Sequence, residues 1–406
     1  MMVKILPWVL AAIFYAYQYT LRVLPSVFMS DITQTYDIDS AIFGQLTGLY
    51  YVGYSLAHIP IGLSMDRYGP RNVMSVGLAL VLVGTLPFVC QSPWQMAMAG
   101  RIVTGMGSAT AILGCFTVIR LSFPENMFSR ILGITATIGL IGAMYGGKPL
   151  SYLAERYVWT AIIWWLLGAG FLLLVALWFL IPGKQDTRTE SIGLDTLGRI
   201  MKNRKIVLIS LIGGLMVGPL EGFADVWGIE FLKHVHDVHA SRAATMVALI
   251  FLGFACGAPL VSWIGDITGR YYLLISICAL VMGLGLGIVT FVTLSECAYY
   301  GVFTLLGIAS SYQIFVVYKS TTFLPKEYVG QVSSVCNMII MIFGYVFHSL
   351  IGGIMRVTQG ECFSDPSKYS DLAYQTAVGV LPAAQIVALL LIVVFFRDRP
   401  RDLSTD

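Results

Sequence analysis

Three ionisable residues, Arg22, Glu221 and Asp225, lie inside long apolar stretches, where a charge is costly and usually faces a cavity or a partner. At about 100° per residue, Tyr15, Gln18, Tyr19 and Arg22 fall on one arc of a helix and give it a polar, aromatic face. Tyr15 and Tyr19 sit nearer mid-span than an interfacial tyrosine belt would, so the face reads as the wall of a cavity. Glu221 and Asp225 are four apart and share a helical face, with Gly214, Gly218 and Gly228 on or near it leaving room for solvent or substrate. An arginine can take a carboxylate bidentately, while an acid can take an amine or carry a proton. Two readings follow: a structural ion pair, or a site split by a substrate that bears both charges.

Other polar residues within spans are secondary candidates. Lys148 is placed in the outer half of the fifth span, where it would line an entry path. Tyr312, Gln313 and Asn337, in the tenth and eleventh spans, are equally readable as substrate contacts or as interhelical hydrogen-bond partners. Glu230 and Lys319 lie near span ends and can snorkel. His58 and His348 read as hydrogen-bonded packing histidines. The outer cluster His234, His236, Asp237 and His239 fits no common metal-ligand spacing, so no metal is expected.

These side chains must be held by membrane helices. The chain is 57% hydrophobic and only 12% charged, with a mean hydropathy of +0.79, whereas globular domains carry about 25% charged residues. Apolar runs of bilayer-spanning length fall near 7–29, 41–64, 73–90, 94–121, 130–153, 160–181, 205–231, 241–265, 271–293, 297–322, 330–356 and 375–396. A transmembrane barrel is excluded, because its strands would be short and alternating. The first run passes signal-peptide length without a small-residue cleavage site and reads as a retained helix. Cations gather in alternate loops (Arg67, Arg71, Arg120, Arg130, Lys202, Arg204 and Lys205 among them), which predicts both termini in the cytoplasm of an inner or plasma membrane. Those basic loops require no nucleic acid. Cys297 and Cys362 would both face outward, and a disulfide between them is left open.

A half-length repeat organises the chain. Asp66 and Gly69 return as Asp266 and Gly269, and at the same offset Asp37 falls on Asp237, Leu49 on Leu249 and Gly53 on Gly253. Two homologous membrane halves are the expected result. Their boundaries read as a first six-helix bundle over 1–181, a cytoplasmic linker over 182–204 and a second bundle over 205–406. In the linker, Ile192, Leu194, Leu197 and Ile200 suggest either a short amphipathic helix on the membrane surface or a simple tether.

The stretch Gly62…Asp66-Arg67-Tyr68-Gly69-Pro70-Arg71 resembles the signature loop of the major facilitator superfamily. Pro70 stands where a basic residue is common, and the second copy keeps Asp266, Gly269 and Arg270 but has Ile267 opposite Arg67. Arg101-Ile102-Val103-Thr104-Gly105-Met106-Gly107 resembles the family's fourth-span element. Gly139, Gly142, Gly146, Gly147 and Pro149 form a partial version of its glycine–proline element. The resemblance implies an all-α membrane fold of twelve helices in two pseudo-symmetric six-helix bundles, with no enzymatic activity and no cofactor. It also implies that the signature loops latch the cytoplasmic side, that Arg101 is linked to proton coupling, and that Arg22 and Glu221 face each other across a central cavity. The repeat equates Arg22 with position 222, which puts the two at similar depth. The expected function is proton-coupled uptake of a small zwitterion, an amino acid or short peptide, by a monomer in a lipid bilayer. An organic-anion carrier using Arg22, Lys148 and Arg101 is the alternative, and an efflux carrier is disfavoured by so charged a cavity.

Overall fold

The computed structural model describes residues 2–90, 92–124, 127–183, 194–325, 328–361 and 363–396. Among them the chain is helical and no strand forms. α1 (Met2–Val27) is the first span, and a short α2 (Met29–Tyr36) follows it. α3 (Ser40–Val89) is two helices that meet at Gly69, whose φ of 78° and ψ of 164° are open only to a residue without a Cβ. Beyond it run α4 (Trp94–Ser122), α5 (Phe128–Ala154) and α6 (Trp159–Leu180). α7 (Leu194–Lys202) leads into the second half. Ten helical stretches are long and apolar enough to cross a bilayer; α1 and the first arm of α3 complete the twelve.

Three of the second-half spans are interrupted. The seventh consists of α8 (Arg204–Met216), a π-helical stretch over Gly218–Trp227 and α9 (Gly228–Val235). α10 (Ala240–Thr268) and α11 (Tyr271–Phe291) are continuous. The tenth span changes from α12 (Glu296–Ser310) to α13 (Tyr312–Thr321) at Ser311. α14 (Val329–Gln359) is unbroken, whereas the last span divides into α15 (Asp371–Val378) and α16 (Val380–Phe395).

The repeat is visible in the backbone. Asp37 and Asp237 are the two non-glycine residues with positive φ among those described, at 48° and 52°. Gly69 and Gly269 also share positive φ, 78° and 64°, and Gly269 caps α10 in the left-handed region. Packing repeats as well. A Cβ on Gly105 would stand 1.9 Å from the Tyr50 carbonyl oxygen, and one on Gly307 would stand 2.2 Å from that of Ile250. The second and fourth spans of each half therefore touch backbone to backbone, the association that small residues permit in lipid.

The two bundles meet along an antiparallel seam between the first arm of α3 and α14. Ser40 Oγ donates to the Gly352 carbonyl at 3.0 Å, and Arg356 pairs with Asp39 at 3.3 Å. A Cβ on Gly44 would lie 2.2 Å from the His348 carbonyl oxygen, and one on Gly344 would enter the Tyr51 ring. A second seam joins α5 to α10 beside a gap of only about 10 Å³ lined by Val23, Ala143, Gly147, Ala224, Ala244 and Phe251.

α7 turns its apolar side onto the second bundle. Ile200 is fully buried with Ile206, Val332 and Val335, and Leu197 packs against them. Of the two readings left open, a surface helix or a simple tether, the described part is a helix, and its apolar side docks on the second bundle. Ile192 and the side chain of Leu194 fall outside the described residues, as does Cys362; Cys297 is an exposed thiol.

Candidate functional site

The structure brings Arg22, Glu221 and Asp225 together at the junction of the bundles. Arg22 NH1 lies 3.1 Å from Glu221 Oε2, its Nε 3.0 Å from Asp225 Oδ2 and its NH2 3.1 Å from Asp225 Oδ1. The guanidinium thus donates through NH2 to Asp225, holds its Nε within ion-pair distance of the same carboxylate without an aligned hydrogen bond, and adds a third contact to Glu221. All three side chains are shut away from solvent, with 5% of Arg22, 2% of Glu221 and none of Asp225 exposed. Tyr51, on the first arm of α3, places its hydroxyl against both carboxylates. Tyr19 stacks on the guanidinium, ring centroid 4.3 Å from Cζ.

The aromatic face expected on the first helix is present and is held from behind. Tyr15 and Tyr19 hydroxyls are 3.3 Å apart, and Gln18 accepts from the Tyr50 hydroxyl at 2.6 Å. Behind α1, Gly142 approaches the Ala16 carbonyl so closely that a Cβ would stand 2.1 Å from it, and Thr20 Oγ1 donates to the Gly142 carbonyl at 2.8 Å. The glycines of the fifth span therefore fix how far α1 leans and which way its polar face turns.

Arg101 is bound into the backbone. Its guanidinium donates to the carbonyls of Leu21, Arg22 and Thr47 at 3.3, 3.4 and 3.4 Å and lies over the Tyr50 ring at 5.0 Å. Its charge thus stands one carbonyl away from Arg22 without reaching a carboxylate.

The seventh span departs from the regular helix that its sequence suggests. Pro219 has no N–H, so the Leu215 carbonyl cannot receive its ordinary i+4 bond. In lipid each unpaired backbone group costs several kcal/mol, and neighbouring side chains answer the deficit. Gln385 Nε2 donates to the Leu215 carbonyl at 3.3 Å, the Tyr312 hydroxyl to that of Gly213 at 2.6 Å, and His348 Nε2 to that of Glu221 at 2.6 Å. Three helices of the second bundle brace the stretch that carries both acids, and i→i+5 bonding of this kind is rare and concentrated at functional sites.

Several expected positions come out differently. Gly214, Gly218 and Gly228 do not open a space beside the acids: Cβ atoms there would meet Phe343, Leu381 and Phe223. They let the broken span pack into its own bundle, a choice that helical periodicity alone does not make. Tyr312 directs its hydroxyl to the Gly213 backbone, and Asn337 Nδ2 lies 3.3 Å from His58 Nε2 across the seam, so both are interhelical partners. Gln313 has a buried Nε2 without a partner. His348, read as fully hydrogen-bonded, has a buried Nδ1 that bonds to nothing. The side chains of Lys148 and Asp66 lie outside those described. Tyr51, His348 and Gln385 were missed as site residues. The buried polar type of Gln385 in an apolar run was the one available signal, while a tyrosine among Tyr50, Tyr51 and Tyr54 offered none.

At the signature loops, Arg67 stacks on its neighbour Tyr68 at 5.2 Å and Arg71 on Trp178 at 5.5 Å. In the second copy the Tyr271 hydroxyl donates to Asp266 at 3.4 Å, and Arg270 is exposed. Among the described side chains Arg67, Arg71 and Arg270 form no ion pair. Gly62 has open space around it. His234 pairs with Asp371 at 3.5 Å, His236 with the Val289 carbonyl, and no metal-binding group is found among the described residues.

The described residues form a helical membrane bundle with a buried charge cluster between two repeated halves. Residues 9–348 match the sequence model of the Major Facilitator Superfamily, and the chain belongs to that family. It is 26% identical over 137 residues to an uncharacterised transporter of the family from Mycobacterium tuberculosis, a match covering 34% of this chain and 24% of that one. The gallate transporter of Pseudomonas putida is 23% identical over 271 residues, covering 58% and 60%. The first curated relatives are thus matched over about a quarter to a third of their length. Among solved structures, a bacterial homologue of the human lysosomal transporter Spinster, in an inward-facing and unoccupied conformation, superposes with a TM-score of 0.73 at 17% identity. That match covers 97% of this chain and 95% of the other. Within that family the chain is a multi-pass membrane protein.

Proposed function

We propose that this protein takes up a small solute bearing a carboxylate, coupled to protons, with Arg22 receiving the carboxylate and Glu221 or Asp225 receiving the proton. The observation that carries this is the cluster's proton and charge count. Arg22 and Arg101 balance two ionised acids, so the closed cluster is neutral. One Tyr51 hydroxyl proton serves two carboxylates, and a second hydrogen bond there needs a proton on one acid. Protonating that acid loosens its hold on Arg22 and leaves a net positive charge in a buried site. A substrate carboxylate removes that charge by taking the vacated guanidinium nitrogens, and proton and substrate thus favour each other.

A zwitterion fits the placement of the groups, its amine meeting the remaining ionised acid, but being neutral it leaves the cluster's added positive charge in place, whereas an organic anion removes it. Tyr15, Gln18 and Tyr19 would line its path, while Lys148, Gln313 and Asn337 are outlying candidates. An organic anion is the second reading, favoured by the likeness to the gallate transporter, whose substrate is an aromatic carboxylate. In both, the loop cations are taken to mark the cytoplasmic side, with both termini there. The sealed Asp39–Arg356 end is then outside. Arg67, Arg71 and Arg270 would serve as the cations of a cytoplasmic latch.

Reconstituted protein tests the proposal with labelled amino acids, dipeptides and aromatic carboxylates under an inward proton gradient. Accumulation should collapse with an ionophore and in Arg22→Ala. Asp225→Asn and Glu221→Gln should differ, one retaining exchange while losing gradient-driven accumulation. Arg22→Ala uptake equal to the wild type would sink the assignment. Competition by carboxylates lacking an amine, as strong as by zwitterions, would select the organic-anion reading.

A further inference from the structure

A groove of about 350 Å³ runs between the second arm of α3 and α6, within the range of about 300–1,000 Å³ typical of ligand pockets. Val76, Leu174, Val175, Trp178 and Phe179 line it, and Phe179, 76% exposed, faces outward from the bundle. One polar side chain enters this apolar wall. Ser75 is 4% exposed, and its Oγ has no hydrogen-bond partner. Ser64, Ser151 and Ser276 return their hydroxyls to the carbonyl four residues back, but Ser75 does not.

Arg71 stands one helical turn before Ser75 at the end of the groove. Its guanidinium stacks on Trp178, and its Nε is buried with no hydrogen bond. Gly183 lies beside that guanidinium, a Cβ there falling at an ordinary contact distance of 3.5 Å. Two unanswered donors, one cationic, therefore sit at the head of an apolar channel in a chain that spans the bilayer. A buried donor without an acceptor is costly, and an arginine matches phosphate oxygens in charge and shape.

We propose that this groove binds an anionic phospholipid, one acyl chain lying along Val76, Leu174 and Phe179 and the headgroup phosphate accepting from Arg71 and Ser75. The charge bias of the loops puts Arg71 at the cytoplasmic leaflet, where anionic lipids concentrate. The inference rests on membrane embedding and on that orientation, and stands apart from the transport reading.

The test is native mass spectrometry of the purified full chain loaded with phosphatidylglycerol or phosphatidylcholine of identical acyl chains. Wild type should retain phosphatidylglycerol about fivefold better, the factor corresponding to one arginine facing an anionic lipid surface. Arg71→Gln should bring the two lipids near parity, and Val76→Trp, which fills the groove from an exposed position, should lower retention of both. Inorganic phosphate should not displace the lipid. Equal retention by wild type, an unchanged preference in Arg71→Gln, unchanged retention in Val76→Trp, or displacement by phosphate would each overturn the proposal. Val76→Trp keeps the test decisive if Arg71→Gln fails to fold.

Discussion

Arg22 and Asp225, 203 residues apart, are joined by two parallel contacts of 3.0 and 3.1 Å that cross from the first bundle to the second. Neither side chain has water to fall back on. Each half of the molecule therefore contributes one sign of charge to a cluster that is stable only when both are in place. Opening the bundles around this point must either carry the pair intact or supply substitutes for it, and a substrate carboxylate and a proton are such substitutes.

Removing the cation alone should be the most damaging single change in the cluster. Arg22→Ala leaves two carboxylates buried without a counter-charge, a loss of about 3–5 kcal/mol on the scale of broken buried pairs. Thermal unfolding in detergent should show a large drop in Tm. Adding Glu221→Gln and Asp225→Asn to the same chain should recover much of it, because no carboxylate is then buried without its cation and the remaining Arg101 charge keeps its backbone carbonyls. A triple variant as unstable as Arg22→Ala would show that the guanidinium acts through packing instead.

The seam between α3 and α14 has no slack at Gly44. A Cβ there would stand 2.2 Å from the backbone oxygen of His348, which cannot rotate away. Gly44→Val should therefore oppose the closed Asp39–Arg356 end, at a cost of about 1–3 kcal/mol typical of overpacking. Labelling of a single cysteine introduced at Ser40 should become faster in the Gly44→Val background. Labelling as slow as in the glycine parent would mean that the seam does not set which end is shut.

His236 predicts a pH response outside the spans. Its Nε2 bonds the Val289 carbonyl at 2.7 Å, and partial burial lowers its pKa below the ordinary value, with the backbone contact opposing. A histidine whose folded pKa is depressed is protonated more readily when unfolded. Its contribution to stability is thus complete above the unfolded value, near 6.5, and is lost as pH falls towards the folded one. Tm should decline over that interval, and His236→Gln should flatten the decline. An identical pH profile in the variant would assign the response to another group.

Much of this was legible in the sequence because its causes are local or repeated. A run of some twenty apolar residues must cross a bilayer whatever its neighbours do. Asp37 with Asp237 and Gly69 with Gly269 each share a positive φ, although the ψ of Gly69 and Gly269 differ. Arg22 and the two acids stood out since an isolated charge in lipid requires a partner, and the repeat placed them at matching depth.

What the sequence could not determine depends on contacts between distant helices. Hydropathy does not say which side of the seventh span faces the pair, and Gly214, Gly218 and Gly228 turned out to face Phe343, Leu381 and Phe223. Pro219 announced a missing donor, but only the packed bundle supplied Gln385, Tyr312 and His348 to answer it and so allowed the π-helical stretch. Tyr51 was one of three nearly adjacent tyrosines until the second bundle closed over it and both carboxylates met its hydroxyl. The sequence by itself determined the spans, the duplication and the signs of the buried charges, since these follow from the price of polarity in hydrocarbon. Only the tertiary structure decided which oxygen each proton serves, because hydrogen bonding is settled by ångström-scale distances that no one helix sets alone.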